Sequence, residues 1–163
     1  TPCNYDMAKI PQPETPWDVI WAEGSAYIIG VETALETWRP LLQPAGVLVF
    51  SDMVWRSNRP SNGLRKFWMS EYPAMTTVSK RLQQARSAGY DILGHFDMGA
   101  DAMDAYYHPL DRRITQMANA LQDDRVLHDL QSELDAYRTS DGMVGYEMFV
   151  LQKRDHTKIK RGQ

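Results

Sequence analysis

The chain has 163 residues, of which 43% are hydrophobic and 24% charged, and its net charge is −3. This composition is typical of a globular domain with one hydrophobic core, and the negative charge gives no bulk attraction for nucleic acid or anionic lipid. One cysteine, Cys3, excludes an internal disulfide and offers no metal-ligand spacing. No apolar run approaches the roughly 20 residues that span a bilayer, and no signal peptide is recognisable. We therefore expect a cytoplasmic protein without a metal, nucleic-acid or membrane partner.

The stretch around which the chain is organised contains two short apolar runs, residues 19–22 and 47–50, with a helical pattern at residues 31–42 between them. Strand, helix and strand in this order predict a right-handed parallel βαβ unit. The first strand ends at Glu23 and the second at Ser51. Because ligands of open α/β sheets bind at the carboxyl ends of the strands, these ends are the expected ligand site.

The segment before the first strand, residues 1–16, contains prolines at positions 11, 13 and 16, which predict a loop. Within it, Asp6 has two interpretations: a turn or cap residue, or a carboxylate that accepts a hydrogen bond from a ligand. The sequence lacks an initiator methionine and starts in what resembles the middle of a motif. We therefore expect the chain to be part of a longer protein.

An aromatic-rich segment follows the second strand and includes a predicted helix at residues 64–72. Its rings have two interpretations, as a lid over a pocket or as core packing; they belong to Trp55, Phe67, Trp68 and Tyr72. A second aromatic cluster, containing Tyr107 and His108, is predicted to lie in a connecting segment. For His108 a packing or surface role is the competing interpretation.

The remaining pattern alternates between helix and strand. Helices are predicted at residues 78–88, 110–121 and 123–137, and strands at residues 90–98 and 146–152. In the first of these helices, Val78, Leu82 and Ala85 are expected to face inward. The basic residues 154–163 follow the predicted domain, 1–153, as a disordered tail, with nucleic-acid binding as a second interpretation.

Four segments resemble the class I S-adenosylmethionine-dependent methyltransferases, over residues 5–153. Residues 4–11, NYDMAKIP, are similar to the family's D-x-x-x-L-P segment after strand three, and residues 17–24, WDVIWAEG, to its fourth-strand motif. Residues 41–48, LLQPAGVL, resemble the L-L-K-P-G-G segment before strand five. Residues 88–90, AGY, and the final strand resemble the family's last elements. Together, in this order, they indicate a partial Rossmann-like α/β sheet with strand order 4-5-7-6 and flanking helices.

The sequence differs from the family at the family's first motif. No glycine-rich turn of the E/D-x-G-x-G-x-G type occurs, because Gly24, Gly30 and Gly46 are too scattered to form one. The acidic residue that ends strand two is also absent. The N-terminal strands of the sheet are therefore expected to be missing, and this chain alone is expected to bind the cofactor poorly. The strand at residues 19–22 would then be an apolar sheet edge that pairs with another chain, for example in a homodimer, or is covered by helices from elsewhere.

The resemblance also implies roles for particular residues. Asp6 and Met7 would contact the adenine of S-adenosylmethionine, with Glu23 and Gly24 completing the cofactor contacts. Glu23 is the candidate catalytic base, and orientation of the acceptor or backbone is the competing interpretation. The acceptor, a small molecule, would be bound by residues at the strand end and on the aromatic loops; these are Tyr27, Trp55, Trp68, Tyr72, Tyr107 and His108.

Three functions are compared. The first is methyl transfer to a small molecule, with this chain as a fragment of the catalytic domain. The second is a non-catalytic methyltransferase-like module for dimerisation or binding. A nucleotide-binding dehydrogenase is disfavoured, since no G-x-G-x-x-G follows any strand.

Overall fold

A computed structural model describes residues 2–118 and 124–155 of the chain. Its strands are β1 (Trp17–Ala22), β2 (Leu42–Trp55), β3 (Thr76–Thr77), β4 (Tyr90–Asp97) and β5 (Val144–Lys153). Its α-helices are α1 (Ala26–Ile29), α2 (Val31–Trp38), α3 (Asn62–Glu71), α4 (Val78–Ser87), α5 (Gly99–Met117) and α6 (Arg125–Arg138). Short 3₁₀ turns cover Met7–Lys9 and Arg39–Leu41.

The sheet has the strand order β1-β2-β5-β4, with β3 paired to β2 beside this path. β1 and β2 run parallel, in a register from Trp17 opposite Leu42 to Ala22 opposite Phe50. Since these four strands correspond to strands 4, 5, 7 and 6 of the family, the predicted partial sheet is confirmed. β3, which pairs with β2 through Thr76 opposite Val54, was not predicted.

The chain divides into two compact units. The first comprises the described residues of Thr1–Asp52, Val78–Phe96 and Glu147–Gln163. The second comprises those of Met53–Thr77 and Asp97–Tyr146. The single domain over residues 1–153 stays a prediction.

The core of the first unit follows from the periodicity of α2. This helix buries four apolar side chains at helical spacing, as predicted: Val31, Ala34, Leu35 and Trp38. Phe50 on β2 and Phe149 on β5 stack with their ring centroids 5.0 Å apart. Within this unit, the buried side chains of α2 and of the central strands β2 and β5 therefore form the hydrophobic core beside β1.

Helix α4 differs from its prediction in the side chains that it buries. The buried residues are Arg81 and Ala85, whereas Leu82 is only half-buried. Arg81 is accommodated because it pairs with the carboxylate of Asp52, which is buried as well. Of the three residues predicted to face inward, Ala85 is buried, whereas Val78 and Leu82 are only half-buried.

The second unit has its own hydrophobic cluster, in which α3, α5 and α6 pack with the ends of β2 and β5. Its buried members include Trp55, Trp68, Met75, Met103, Tyr107, Ile114, Leu134 and Val144. Trp55 is the last residue of β2, Trp68 lies in α3, and Tyr72 follows that helix directly. The placement of Tyr107 and His108 in a connecting segment is wrong, because both lie within α5.

The reason for the longer α5 is its buried stripe. Met103, Tyr107 and Ile114 recur at helical spacing and are buried, so the packing sustains a helix through Pro109. Leu121 and Asp123, the predicted end of this helix and start of the next, lie outside the described residues. Asp124 caps α6 by accepting hydrogen bonds from the backbone N–H groups of Val126 and Leu127.

The outer strand β1 exposes an apolar face. Trp17, Val19 and Trp21 alternate along one side of the strand and are 39%, 52% and 64% exposed. The predicted apolar edge strand is thus present in the described part of the chain. The predicted tail lies outside it from residue 156 onward. No helix in residues 2–118 or 124–155 has the length and hydropathy required to cross a bilayer.

Candidate functional site

The turn after β1 is joined by a hydrogen bond to Ser51 of β2, a strand that continues past its predicted end at Ser51 to Trp55. The backbone N–H of Gly24 donates to Oγ of Ser51 at 2.9 Å. Gly24 adopts a φ of +53°, so the chain turns sharply after Glu23. Sheet position and turn together place Glu23 directly after β1, where the βαβ pattern predicts a ligand site.

Glu23 is exposed, and its carboxylate is held by the strand that precedes it. Nε1 of Trp21 donates a hydrogen bond to Oε1 of Glu23 at 2.9 Å. The other carboxylate oxygen keeps acceptor capacity for a ligand. Tyr27, on the short helix α1 that follows, is 47% exposed. The structure thus groups Glu23, Gly24 and Tyr27 within five residues of chain at the same strand end.

Asp6 and Met7 lie in the same unit as Glu23, in a 3₁₀ turn ahead of β1. The Asp6 side chain caps this turn, because its Oδ1 accepts a hydrogen bond from the Ala8 N–H at 2.9 Å. The carbonyl oxygen of Met7 accepts a hydrogen bond from Nε1 of Trp38 at 2.8 Å, which fastens the turn to α2. Asp6 is therefore a cap residue, and its second oxygen, Oδ2, remains the candidate ligand acceptor.

Apart from Tyr27, the aromatic residues predicted to bind the acceptor lie in the second unit. Trp55, Trp68 and Tyr107 are members of its buried cluster, and Tyr72 packs against it. Nε1 of Trp68 is buried without a hydrogen-bond partner among the described residues. His108 is exposed, with Nε2 3.5 Å from Oδ1 of Asp104. The structure thus brings four of these rings together and leaves His108 outside their cluster.

Two tyrosines in this unit donate hydrogen bonds to carboxylates, and both tyrosines have raised pKa values. Tyr107 donates a hydrogen bond to Glu133, and burial together with the nearby carboxylate raises the pKa of Tyr107 well above its usual range. Burial also raises the pKa of Glu133, against the effect of that hydrogen bond. Burial and a 2.8 Å hydrogen bond to Asp104 raise the pKa of Tyr137 to about 12. Both tyrosines therefore remain neutral donors at physiological pH.

A buried ion pair beside the strand end was missed by sequence reasoning. Nε and Nη2 of Arg81 donate to Oδ2 of Asp52 at 2.9 and 2.7 Å, and Nη1 donates to Gln84. Asp52 directly follows Ser51, so this pair holds the segment to which the Gly24 turn is bonded.

A second buried carboxylate lies on the central strand β5. Glu147 is 2% exposed, and its Oε1 lies 2.5 Å from Nδ1 of His95 on β4. No group of three or more metal-ligating side chains occurs in residues 2–118 and 124–155.

The residues present fit S-adenosylmethionine only in part. Asp6 and Glu23 offer carboxylate oxygens, but the N–H of Gly24 is already bonded to Ser51. The printed sequence contains no glycine-rich turn and therefore no close backbone approach to the methionine and ribose moieties. This chain alone does not supply a complete site for the cofactor.

Comparison with solved structures identifies the fold. An S-adenosylmethionine-dependent methyltransferase from Geobacter sulfurreducens, solved with S-adenosyl-L-homocysteine, matches 91% of this chain with a TM-score of 0.70 and 18% identity. The chain has the class I methyltransferase fold. A putative sarcosine dimethylglycine methyltransferase from Galdieria sulphuraria matches 93% of the chain at a TM-score of 0.69 and 13% identity.

The same fold also carries other chemistry. The [4+2]-cyclase SpnF matches 92% of this chain with a TM-score of 0.68 and 20% identity. No family model matches the sequence. No curated protein matches it either. The chain spans 54%, 58% and 61% of the length of the cyclase, the Galdieria and the Geobacter proteins. Because identity is low and one neighbour is a cyclase, these likenesses establish the fold and not the reaction.

Proposed function

We propose that this chain forms one wall of an S-adenosylmethionine-dependent methyltransferase that acts on a small molecule. The observation that supports the proposal is the Gly24–Ser51 hydrogen bond, which holds the turn after Glu23 against β2 in a sheet of the methyltransferase fold. The opposite wall, with the glycine-rich turn, would come from polypeptide outside these 163 residues. Support for this division is that the structural neighbours extend well beyond the matched part.

In this proposal the residues of this chain contact different parts of the cofactor and the acceptor. Asp6 and Met7 contact the adenine, Glu23 and Gly24 lie by the reacting end of the cofactor, and Tyr27 contacts the acceptor. Glu23 accepts the proton that an O–H or N–H acceptor loses, at the carboxylate oxygen not bonded to Trp21. Trp55, Trp68, Tyr72 and Tyr107 would contact an acceptor only if their cluster opens, because these rings are packed in it. His108 is exposed and does not depend on such an opening.

The base role is tested by Glu23→Gln in a polypeptide that carries both this chain and the missing half of the sheet. Loss of a positioned base is expected to lower kcat by about 100-fold with little change in KM for the cofactor. Glu32→Gln, which replaces an exposed glutamate on α2, is the control and should keep full activity. Turnover by Glu23→Gln equal to that of the unmodified protein would remove Glu23 from the chemistry.

A non-catalytic alternative is favoured by the exposed face of β1. In a homodimer with antiparallel β1 strands centred on Val19, Trp17 of one copy would lie opposite Trp21 of the other on the same face. Such pairing would bury three side chains that are now 39% to 64% exposed. It would also satisfy the free backbone groups of the edge strand. We propose a second copy of this chain as the occupant of this edge.

Light scattering of the purified chain tests this homodimer. The expected mass is twice 18.7 kDa, and Trp21→Lys is expected to return it to 18.7 kDa by placing a charge in the apolar interface. Leu93→Lys, on the opposite edge strand β4, is the matched control because Leu93 is 54% exposed. A monomer at about 100 µM, or a dimer that only Leu93→Lys dissociates, would contradict the pairing through β1.

A further inference from the structure

The second unit contains a cleft of about 480 Å³ that none of the predicted site residues lines. It lies between the first turn of α5, the connection from α6 to β5, and Arg56. All of its lining residues belong to this one unit. Its volume is in the range of pockets that hold small organic molecules.

The inner surface of the cleft is apolar and rigid. Met103 and Val144 are 3% and 5% exposed and belong to the hydrophobic cluster. Tyr137 lines the cleft beside them, and its ring stacks on Tyr107 with a centroid distance of 4.0 Å and an interplanar angle of 8°. Its hydroxyl donates to Asp104. Tyr137 therefore presents a fixed aromatic surface rather than a mobile one.

The first charged group at the cleft is an ion pair. Nη2 of Arg56 lies 2.7 Å from Oδ1 of Asp97 and donates to the carbonyl oxygen of Tyr146. The same Asp97 oxygen accepts a hydrogen bond from the N–H of Gly99, which begins α5. Gly145 leaves room for Arg56, since a Cβ there would lie 2.9 Å from its Nε. An anionic ligand would therefore have to displace a carboxylate that is already in place.

The opposite side of the cleft carries an excess of negative charge. Arg138 contacts Asp111 at 2.7 Å and Asp135 at 3.5 Å. Asp141 is exposed at the cleft and makes no ion pair with a described residue. Of the charged groups that line the cleft, Arg56 and Asp97 pair with each other. Arg138 pairs with Asp111 and Asp135, which lie outside the lining. The charge of Asp141 is therefore the one in the lining that no described ion pair compensates.

We propose that this cleft binds a small organic cation, with its ammonium group beside Asp141. The apolar part of the ligand packs on Met103, Val144 and the Tyr137 ring. Carboxylates at the rim and an aromatic wall are the two features that recognise substituted ammonium groups. This site rests on the second unit alone and does not depend on the proposed methyl transfer.

Choline is the probe, with 3,3-dimethylbutan-1-ol as its uncharged isostere and butyrate as the anionic comparison. In titrations followed by amide NMR, choline is expected to bind at least 5-fold more tightly than the alcohol and to shift the signals of Asp141, Gly142 and Gly145. Butyrate is expected to leave these signals unchanged. Three results would overturn the proposal: no choline binding up to 50 mM, equal binding of choline and the alcohol, or binding of butyrate in place of choline.

The role of the carboxylate is tested by Asp141→Asn. Asp141 has a φ of +46°, which asparagine also tolerates, so the turn is expected to fold. Choline affinity should fall at least 5-fold in this variant and remain unchanged in Asp129→Asn, which replaces an exposed aspartate on α6. Equal affinity in both variants would overturn the assignment of the ammonium group to Asp141.

Discussion

Replacement of Arg81 by methionine is expected to lower the free energy of unfolding by about 3–5 kcal/mol. The side chains of Arg81 and Asp52 are 2% and 0% exposed, so the substitution leaves the buried Asp52 carboxylate without the guanidinium group. Methionine keeps much of the buried volume, which makes the loss chiefly electrostatic. Urea denaturation of the purified chain measures the difference.

Two further variants separate the ion pair from packing. Arg86→Met, on an exposed position of the same helix, is expected to change the free energy of unfolding by less than about 0.5 kcal/mol. The double variant Arg81→Met, Asp52→Leu is expected to recover most of the loss, because it removes both buried charges together. A loss below about 1 kcal/mol for Arg81→Met alone would show that Asp52 does not depend on this partner.

Gly89→Ala is expected to lower the free energy of unfolding by about 1–3 kcal/mol. Gly89 has a φ of +86°, and a residue with a Cβ is strained in this conformation. A Cβ at this position would also lie 2.8 Å from Nε of Arg39. That side chain is held by hydrogen bonds to the carbonyl oxygens of Gly89 and Arg154. Thermal unfolding followed by circular dichroism measures the effect.

The matched control for this glycine lies on β4. Gly94 has no heavy atom within 4 Å of the place where a Cβ would be, and its φ is not positive. Gly94→Ala is therefore expected to leave the midpoint of unfolding nearly unchanged or to raise it slightly. Equal midpoints for the two alanine variants would contradict the role of the Gly89 turn in seating Arg39.

The fold could be predicted largely from local sequence signals. Two apolar runs around the α2 pattern fix the parallel pairing of β1 and β2, and Gly89 marks the turn between α4 and β4. The resemblance added the strand order, which places the last strand, β5, between β2 and β4. The helix predicted at residues 110–121 begins earlier, at Gly99, because long-range packing of Met103, Tyr107 and Ile114 sustains α5 through Pro109.

The candidate site was less predictable than the fold. The position of Glu23 follows from the strand end, whereas the Gly24–Ser51 hydrogen bond joins residues 27 positions apart in the chain. The Arg81–Asp52 pair joins residues 29 positions apart and violates the expectation that charged side chains face solvent. Both interactions join residues that only tertiary packing brings together, so no local sequence pattern predicts them. The unassigned cleft around Met103 and Tyr137 arises in the same way.

The most direct test of the account is a titration of the ¹⁵N-labelled chain with S-adenosylhomocysteine, followed by amide NMR. If this chain forms one wall of the cofactor site, the amide signals of four residues should shift progressively; these are Asp6, Met7, Glu23 and Gly24. The Kd should be weaker than about 100 µM, since few of the required contacts are present. Absence of shifts at these four residues would contradict their place in a cofactor site. Saturation at low micromolar concentration would contradict the conclusion that the site is incomplete without further polypeptide.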